Sequence, residues 1–203
     1  MKDDSRQGNP AWNAERRLPL AWIDSWGVKR RISAVSPLIQ HPPTERNFLK
    51  SPTVSLESPD QPEVIALIEA LDDYQIPLYP AESHHGIDIN ALASDNTVFS
   101  VARAIDGTAV ACGALVVHAT HGELKRMFTQ PASRGQGLAG RILSVLEDEA
   151  RRRGCTRVML ETGYLQHEAI SFYERNGYQR RGPFGDYQED PNSVFMEKRF
   201  PAQ

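Results

Sequence analysis

The sequence predicts an α/β protein with a central mixed sheet and helices on its faces. Runs rich in β-branched residues, typical of strands, alternate with amphipathic runs whose apolar residues recur at helical spacing. Their order along the chain is β-α-α-β-β-β-α-β-α-β-β, which is typical of a mixed sheet covered by helices. At 203 residues, of which 40% are hydrophobic, the chain is long enough for one well-packed domain.

Local signals define the elements in order. Pro62 and Glu63 suit the first turn of a helix, and Asp106-Gly107 is a strong hairpin signal between two strands. Gly154 follows the longest amphipathic stretch and suits the end of a helix. The predicted strands are residues 53–57, 98–105, 110–117, 123–129, 157–161, 178–181 and 194–199, and the predicted helices are residues 58–74, 87–92, 137–153 and 168–175.

Residues 1–52 differ from the rest of the chain. They contain all three tryptophans and several prolines, and they show no sustained periodicity of either strand or helix. We predict an N-terminal extension over residues 1–52, mobile or loosely docked, followed by a domain over residues 53–203. The first 50 residues are basic and the remainder is acidic, which argues against nucleic acid as the main partner of the domain.

The composition excludes several other classes. No apolar run approaches the roughly 18 residues that span a bilayer, and the chain does not open on a secretory signal pattern. Cys112 and Cys155 lie in apolar strand-like contexts, so we expect small buried residues rather than a disulfide or a metal pair. We therefore expect a cytoplasmic enzyme or binding protein with no metal and no membrane partner.

A glycine-rich stretch between a predicted strand and the longest predicted helix is the strongest functional signal. Glycines at the start of a helix allow a phosphate to approach the backbone N–H groups, and the helix dipole favours an anion there. An arginine at the start of the stretch adds a positive charge. A phosphorylated ligand is therefore expected at Arg134, Gly135, Gln136, Gly137, Leu138 and Ala139.

The same residues leave a second interpretation open. Residues 135–140 also fit the G-x-G-x-x-G pattern of dinucleotide-binding proteins. Glu161 follows at about the sequence separation at which such proteins place an acidic residue that binds the ribose. However, residues 130–134 separate the first glycine from its strand, and too little chain remains for the further βαβ units of such a fold. A dinucleotide-binding protein is thus a remote alternative.

Two motifs together resemble those of the GNAT superfamily of N-acetyltransferases. Arg134, Gly137 and Ala139 match its motif Gln/Arg-x-x-Gly-x-Gly/Ala. A later helix with Ala-x-x-x-Tyr before Gly-Tyr/Phe is matched by Ala169, Tyr173, Gly177 and Tyr178. The resemblance covers roughly residues 53–200 and extends to a bacterial branch of largely uncharacterised acetyltransferases. One departure is Gln166, where many members have Asn; the amide is retained.

The resemblance implies a mostly antiparallel sheet whose fourth and fifth strands splay apart, and it implies acetyl-CoA as co-substrate without a metal. The pyrophosphate would lie on the loop at residues 134–139, and the pantetheine arm would lie between residues 123–129 and 157–161. Backbone groups of Met127, Phe128 and Thr129 would then hold the arm, with Gln166 and Tyr173 also at the cofactor.

The chemistry of amine acetylation points to further candidates. An amine must lose a proton to a base, and a thiolate must leave. Glu123 is the first candidate base and Glu161, on the neighbouring strand, is the second. Tyr173 matches the family tyrosine that can donate a proton to the departing sulfur. Each has a purely structural alternative: a solvated strand end for Glu123 and a core aromatic for Tyr173.

The resemblance also implies an acceptor side. The loop after the first helix lines it in this family, which makes Tyr79, His84 and His85 candidates. The loop between the last two strands borders it as well, and its Asp186 and Glu189 would attract a cationic amine. The alternative is a solvated turn whose Asp and Asn residues only suit the backbone. We expect an N-acetyltransferase that moves an acetyl group to a primary amine of a small molecule or peptide in a ternary complex. A non-catalytic acyl-CoA-binding module is the alternative, and both a monomer and a homodimer are compatible with the sequence.

Overall fold

A computed structural model describes residues 51–201 of the chain. The predicted extension over residues 1–52 falls almost entirely outside the described residues, so the domain boundary stays a prediction. The predicted order of strands and helices is confirmed. The elements are β1 (Thr53–Leu56), α1 (Pro62–Gln75), α2 (Ile89–Leu92), β2 (Thr97–Arg103), β3 (Ala109–Val117), β4 (Gly122–Thr129), α3 (Leu138–Arg152), β5 (Arg157–Gly163), α4 (His167–Arg175), β6 (Gln179–Arg181) and β7 (Ser193–Arg199).

The strands form one seven-stranded mixed sheet in the order β1-β2-β3-β4-β5-β7-β6. All neighbouring pairs are antiparallel except β4 and β5, which are parallel. Strand β1 is the first strand in this order and is therefore an edge strand. Within residues 51–201, the only parallel pair of strands therefore lies at the centre of the sheet.

Helices cover both faces of the sheet, as the sequence predicted. On one face, α3 contributes Ile142 and Leu146 to a buried cluster that also holds Tyr173 of α4. On the other face, α1 contributes Leu67 and Ile68 to a second buried cluster. The apolar residues recur every three to four positions along each helix, which is the spacing that directs one stripe toward the sheet.

The central strands β4 and β5 separate soon after they meet. Their pairing consists of three positions and ends at Leu124 and Leu160. Beyond that point β4 stays on β3, with a bulge opposite Gly113 at which Arg126 adopts a positive φ of 55°. A bulge bends its strand and increases the local twist. The expected splaying of the fourth and fifth strands is therefore present.

Several boundaries differ from the sequence prediction: helix α1 begins at Pro62 rather than at residue 58, and strand β2 ends at Arg103 rather than at residue 105. Two further differences have identifiable reasons. Strand β5 extends to Gly163, two residues beyond its predicted end, because it pairs with β7 through Thr162 and Gly163. Helix α2 begins two residues later than predicted, because the Asp88 side chain accepts a hydrogen bond from the Ala91 N–H and caps the helix there. Within residues 51–201, no helix has both the length and the apolar character needed to cross a membrane.

Candidate active site

The glycine-rich loop leads directly into α3. Gly135 and Gly137 have φ values of 78° and 74°, a conformation that strongly favours glycine. Gly137 is the N-cap of α3, and no side chain caps the helix. The N–H groups of its first turn therefore have no intrahelical acceptor. A Cβ atom built on either glycine would meet no atom within 4 Å, so the space above the loop is open. This geometry suits a phosphate.

Other residues assigned to the cofactor lie around this loop and the end of β4. The Arg134 Nε donates to the Thr129 carbonyl oxygen at 3.3 Å, which ties the loop to β4. The Thr129 hydroxyl is buried and has no hydrogen-bond partner among residues 51–201. Phe128 packs against the cluster on the α1 face, so only its backbone is available to a ligand on the other side.

A cleft of about 630 Å³ opens where β4 and β5 separate, and we call it the first cleft. Its walls are residues 124–127 of β4, residues 161–163 of β5, α1 and the following loop, and part of α4. Seven of the residues singled out from the sequence line it: Tyr79, His84, His85, Met127, Glu161, Gln166 and Tyr173. The volume is in the range of small-molecule sites.

Tyr173 is held rigidly at one wall of the first cleft. Its side chain is 6% exposed, and its ring packs edge-on against Phe172 and Tyr178. Burial raises the pKa of the phenol, and the negative charge of Glu161 raises it further. The phenol therefore stays protonated and keeps an O–H that can donate a hydrogen bond to a ligand in the cleft. The packing role considered from the sequence is also present, since Tyr173 belongs to the core cluster.

Glu161 lies on β5, one residue beyond the last β4–β5 pair. The Ser193 hydroxyl donates to its Oε1 at 2.7 Å. Burial raises the pKa of the Glu161 carboxyl, and the hydrogen bond from Ser193 only partly offsets this effect. A carboxyl with a raised pKa is a better proton acceptor for an amine than an ordinary surface glutamate.

Glu123 lies on the same face of the sheet as Glu161, but at a position where β4 is still paired with β5. Its carboxylate is 8% exposed and accepts a hydrogen bond from the Tyr187 hydroxyl at 2.7 Å. The Lys125 ammonium lies 3.0 Å from the same oxygen, and His118 lies 3.6 Å from the other. The Tyr187 hydroxyl and the Lys125 ammonium thus already contact this carboxylate.

Glu123 lines a second cleft of about 950 Å³, which adjoins the first. This second cleft also holds His84, His85, Asp186 and Glu189, so the structure gathers the acceptor-side candidates there, apart from Tyr79. Tyr79 instead packs over the end of β5, where a Cβ on Gly163 would lie 2.1 Å from its ring. The Tyr79 hydroxyl accepts a hydrogen bond from the Leu165 N–H at 3.2 Å.

The two clefts meet at residues that the sequence did not single out. Lys125 donates to the His85 carbonyl oxygen at 3.2 Å and to the Tyr187 hydroxyl. Asn192 donates to the Ser83 hydroxyl at 3.1 Å, which joins the last loop to the loop after α1. No local signal marks these residues, because each contact joins segments far apart in the chain. Residues 51–201 contain no group of three or more His, Cys, Asp or Glu side chains arranged for a metal ion.

Sequence comparison finds relatives that are named as acetyltransferases. An IAA acetyltransferase of Azospirillum brasilense is 48% identical over 148 residues, which are 72% of this chain and 96% of that protein. The uncharacterised N-acetyltransferase YsnE of Bacillus subtilis strain 168 is 36% identical over 140 residues, 68% of this chain and 92% of that protein.

Solved structures show the same fold. A candidate acyl-CoA N-acyltransferase from Klebsiella pneumoniae subsp. pneumoniae MGH 78578 is 42% identical, with a TM-score of 0.63 over 73% of this chain and 97% of that one. The PaiA N-acetyltransferase of Thermoplasma acidophilum, solved with coenzyme A, shares the fold at 18% identity, with a TM-score of 0.56 over 73% of this chain and 99% of that one. Residues 64–178 match the model of the Acetyltransferase (GNAT) family, and the chain belongs to that family.

Proposed function

We propose that this protein transfers the acetyl group of acetyl-CoA to a primary amine of a small molecule or peptide, by direct attack in a ternary complex. The observation that carries the proposal is the opening between β4 and β5. The Glu161 carboxyl, whose pKa is raised, and the protonated Tyr173 phenol both line the first cleft. They are the base and the acid that the reaction needs.

The cofactor assignment rests on the geometry of the backbone. Beyond Leu124, the edge of β4 that faces β5 has no strand partner, so an extended pantetheine arm can bond the backbone groups that residues 127–129 point toward the opening. Its pyrophosphate would lie on the N–H groups of residues 134–139, with Arg134 beside it. The PaiA N-acetyltransferase was solved with coenzyme A and shares this fold, which supports the assignment.

The proposed step begins when Glu161 takes a proton from the ammonium group of the acceptor and leaves a neutral amine. The amine nitrogen attacks the thioester carbonyl carbon, and a carbon–nitrogen bond forms. The carbon–sulfur bond then breaks, and Tyr173 donates its proton to the departing sulfur of coenzyme A. The Tyr173 phenolate takes the remaining extra proton of the nitrogen, Glu161 releases its proton to water, and the products are an amide and free coenzyme A.

This proposal assigns the base to Glu161 rather than to Glu123, which was the first candidate from the sequence. Its carboxylate already accepts from Tyr187 and lies within 3.0 Å of the Lys125 ammonium. It also lies at the paired end of β4, beside Met159, whereas Glu161 lies where the strands have separated. We assign Glu123 the role of holding Lys125 and Tyr187 between the two clefts.

The experiment that tests the function measures coenzyme A release from acetyl-CoA in the presence of a panel of primary amines, with identification of the acetylated product by mass spectrometry. Amine-dependent release with a matching amide supports the proposal. If acetyl-CoA binds but no amine promotes release, the non-catalytic acyl-CoA-binding alternative is favoured. A thermal shift with NAD but not with acetyl-CoA would favour the dinucleotide-binding alternative.

A further inference from the structure

We infer that the second cleft binds a cationic amine that carries an aromatic ring, so that the acceptor is an arylalkylamine. This inference rests on the proposed function and names the substrate class of that site. It comes from the combination of an aromatic lining with a ring of carboxylates, neither of which is needed for the acetyl-CoA side of the reaction.

Five aromatic side chains form a continuous row along the second cleft. His118 and His121 are stacked with their ring centres 4.6 Å apart, and His121 meets Phe184 edge-on at 6.3 Å. Phe184 lies 5.0 Å from Tyr187, which in turn meets His85 edge-on at 5.0 Å. Rings prefer such offset and edge-to-face partners, so an additional ring in the cleft would find matching surfaces.

The charged groups of the second cleft favour a cation. Its carboxylates lie on both loops and on β4, and they outnumber its single lysine, which already contacts one of them. An acidic cleft with low-dielectric walls raises the local concentration of a cationic ligand, and aromatic faces also attract an ammonium group. The carboxylates lining the cleft are Glu82, Glu123, Asp186, Glu189 and Asp190.

The end of this row formed by Tyr187 and His85 is the end nearest the transfer site, because His85 also lines the first cleft. The first and second clefts share His85, Lys125 and Asn192 as common walls. In this proposal the aromatic ring lies beside Phe184 and Tyr187, and its alkylamine tail extends past the shared residues toward Glu161 in the first cleft.

A matched pair of amines tests the inference. 2-Phenylethylamine and 2-cyclohexylethylamine have the same chain and nearly the same size, and only the first has an aromatic ring. We expect kcat/KM to be up to about tenfold higher for 2-phenylethylamine, the range of aromatic contacts beyond simple burial. Calorimetry of the same two amines with the coenzyme A-bound protein measures their affinities without turnover, and we expect the same preference.

Variants of the half-buried His121 ring locate the effect. His121→Ala should remove most of the preference for the aromatic amine, and His121→Phe should retain it. His167→Ala is the matched control, because His167 is exposed and lines neither cleft. Equal affinity and equal kcat/KM for the two amines would overturn the inference. An aromatic preference in calorimetry without any acetylation would retain this inference and contradict the proposed function.

Discussion

Leu124 and Leu160 form the last pair between the parallel strands β4 and β5. Both side chains point into the core beneath α3. The next residue of β5, Glu161, faces the opposite side of the sheet and lines the first cleft. The end of strand pairing thus places a buried carboxyl beside the opening in which the pantetheine arm is proposed to lie.

The first prediction concerns the phosphate loop. Gly137→Asp should abolish acetyl-CoA binding, because it places a carboxylate in the open space above a backbone with φ of 74°. Wild-type protein at about 100 times the dissociation constant of acetyl-CoA should gain about 2.7 kcal/mol of unfolding free energy, seen as a thermal shift. Gly107→Asp is the control, since Gly107 has φ of 91° and lies in the β2–β3 hairpin. A full thermal shift in Gly137→Asp would place the phosphate elsewhere.

The second prediction concerns the leaving group. Tyr173→Phe keeps the packing of the ring against Phe172 and Tyr178 but removes the proton donor. We expect the affinity for acetyl-CoA to stay within a few-fold, while kcat falls by roughly 10²-fold or more. Tyr74→Phe, on an exposed tyrosine near the end of α1, should change neither. Unchanged turnover in Tyr173→Phe would leave Tyr173 with a packing role alone.

The third prediction separates the two carboxylates by their pH dependence. The proposed reaction needs Glu161 as the anion, and burial raises the pKa of this carboxyl above its usual 4.5. In the wild type, kcat/KM should therefore fall on the acidic side at a higher pH than an ordinary glutamate would give. Glu161→Gln should lose about 10²- to 10⁴-fold in rate together with this acidic limb. Glu123→Gln should keep the limb; if it alone removes the limb, Glu123 is the base.

The same shift predicts a change in stability that does not depend on catalysis. A carboxyl whose pKa is raised on folding contributes stability below its unfolded pKa and loses that contribution as the pH rises through the folded pKa. Relative to wild type, Glu161→Gln should therefore gain stability between acidic and neutral pH. Thermal melts across this range measure the difference, and a difference independent of pH would contradict the raised pKa.

The sequence predicted the elements well because each depends on local spacing and on turn residues. The loop at residues 134–139 was also recognisable, since a positive φ at two positions requires glycines. The wall between the clefts was not predictable in this way. Lys125, His85, Tyr187 and Asn192 come together only when β4 and two long loops pack at the same place, and no periodicity encodes such contacts.

The order β5-β7-β6 was also beyond local signals. A sequence pattern shows that a segment is a strand but not which strand is its neighbour. This order brings Ser193 of β7 to Glu161 of β5. The choice between Glu161 and Glu123 as base therefore required the structure.

The fourth prediction concerns the exposed carboxylates of the second cleft. Asp186 and Glu189 are exposed and line it, so they should attract a cationic amine. Asp186→Asn combined with Glu189→Gln should raise the Michaelis constant for a diamine far more than for an amine with a neutral tail. The preference for the diamine should weaken with added salt, since exposed charges are screened within about 8 Å at physiological ionic strength. A wild-type preference for acidic amines would contradict this prediction.

The most direct test of the proposed ternary complex is a matrix of initial rates over acetyl-CoA and amine concentrations, with coenzyme A release as the readout. Cys112 and Cys155 are buried, and the pKa of the Cys112 thiol is raised to about 12, so neither is suited to carry the acetyl group. Direct attack in a ternary complex predicts intersecting double-reciprocal lines, no release without amine and no acetylated protein. Parallel lines, together with an acetyl group recovered on the protein, would contradict it.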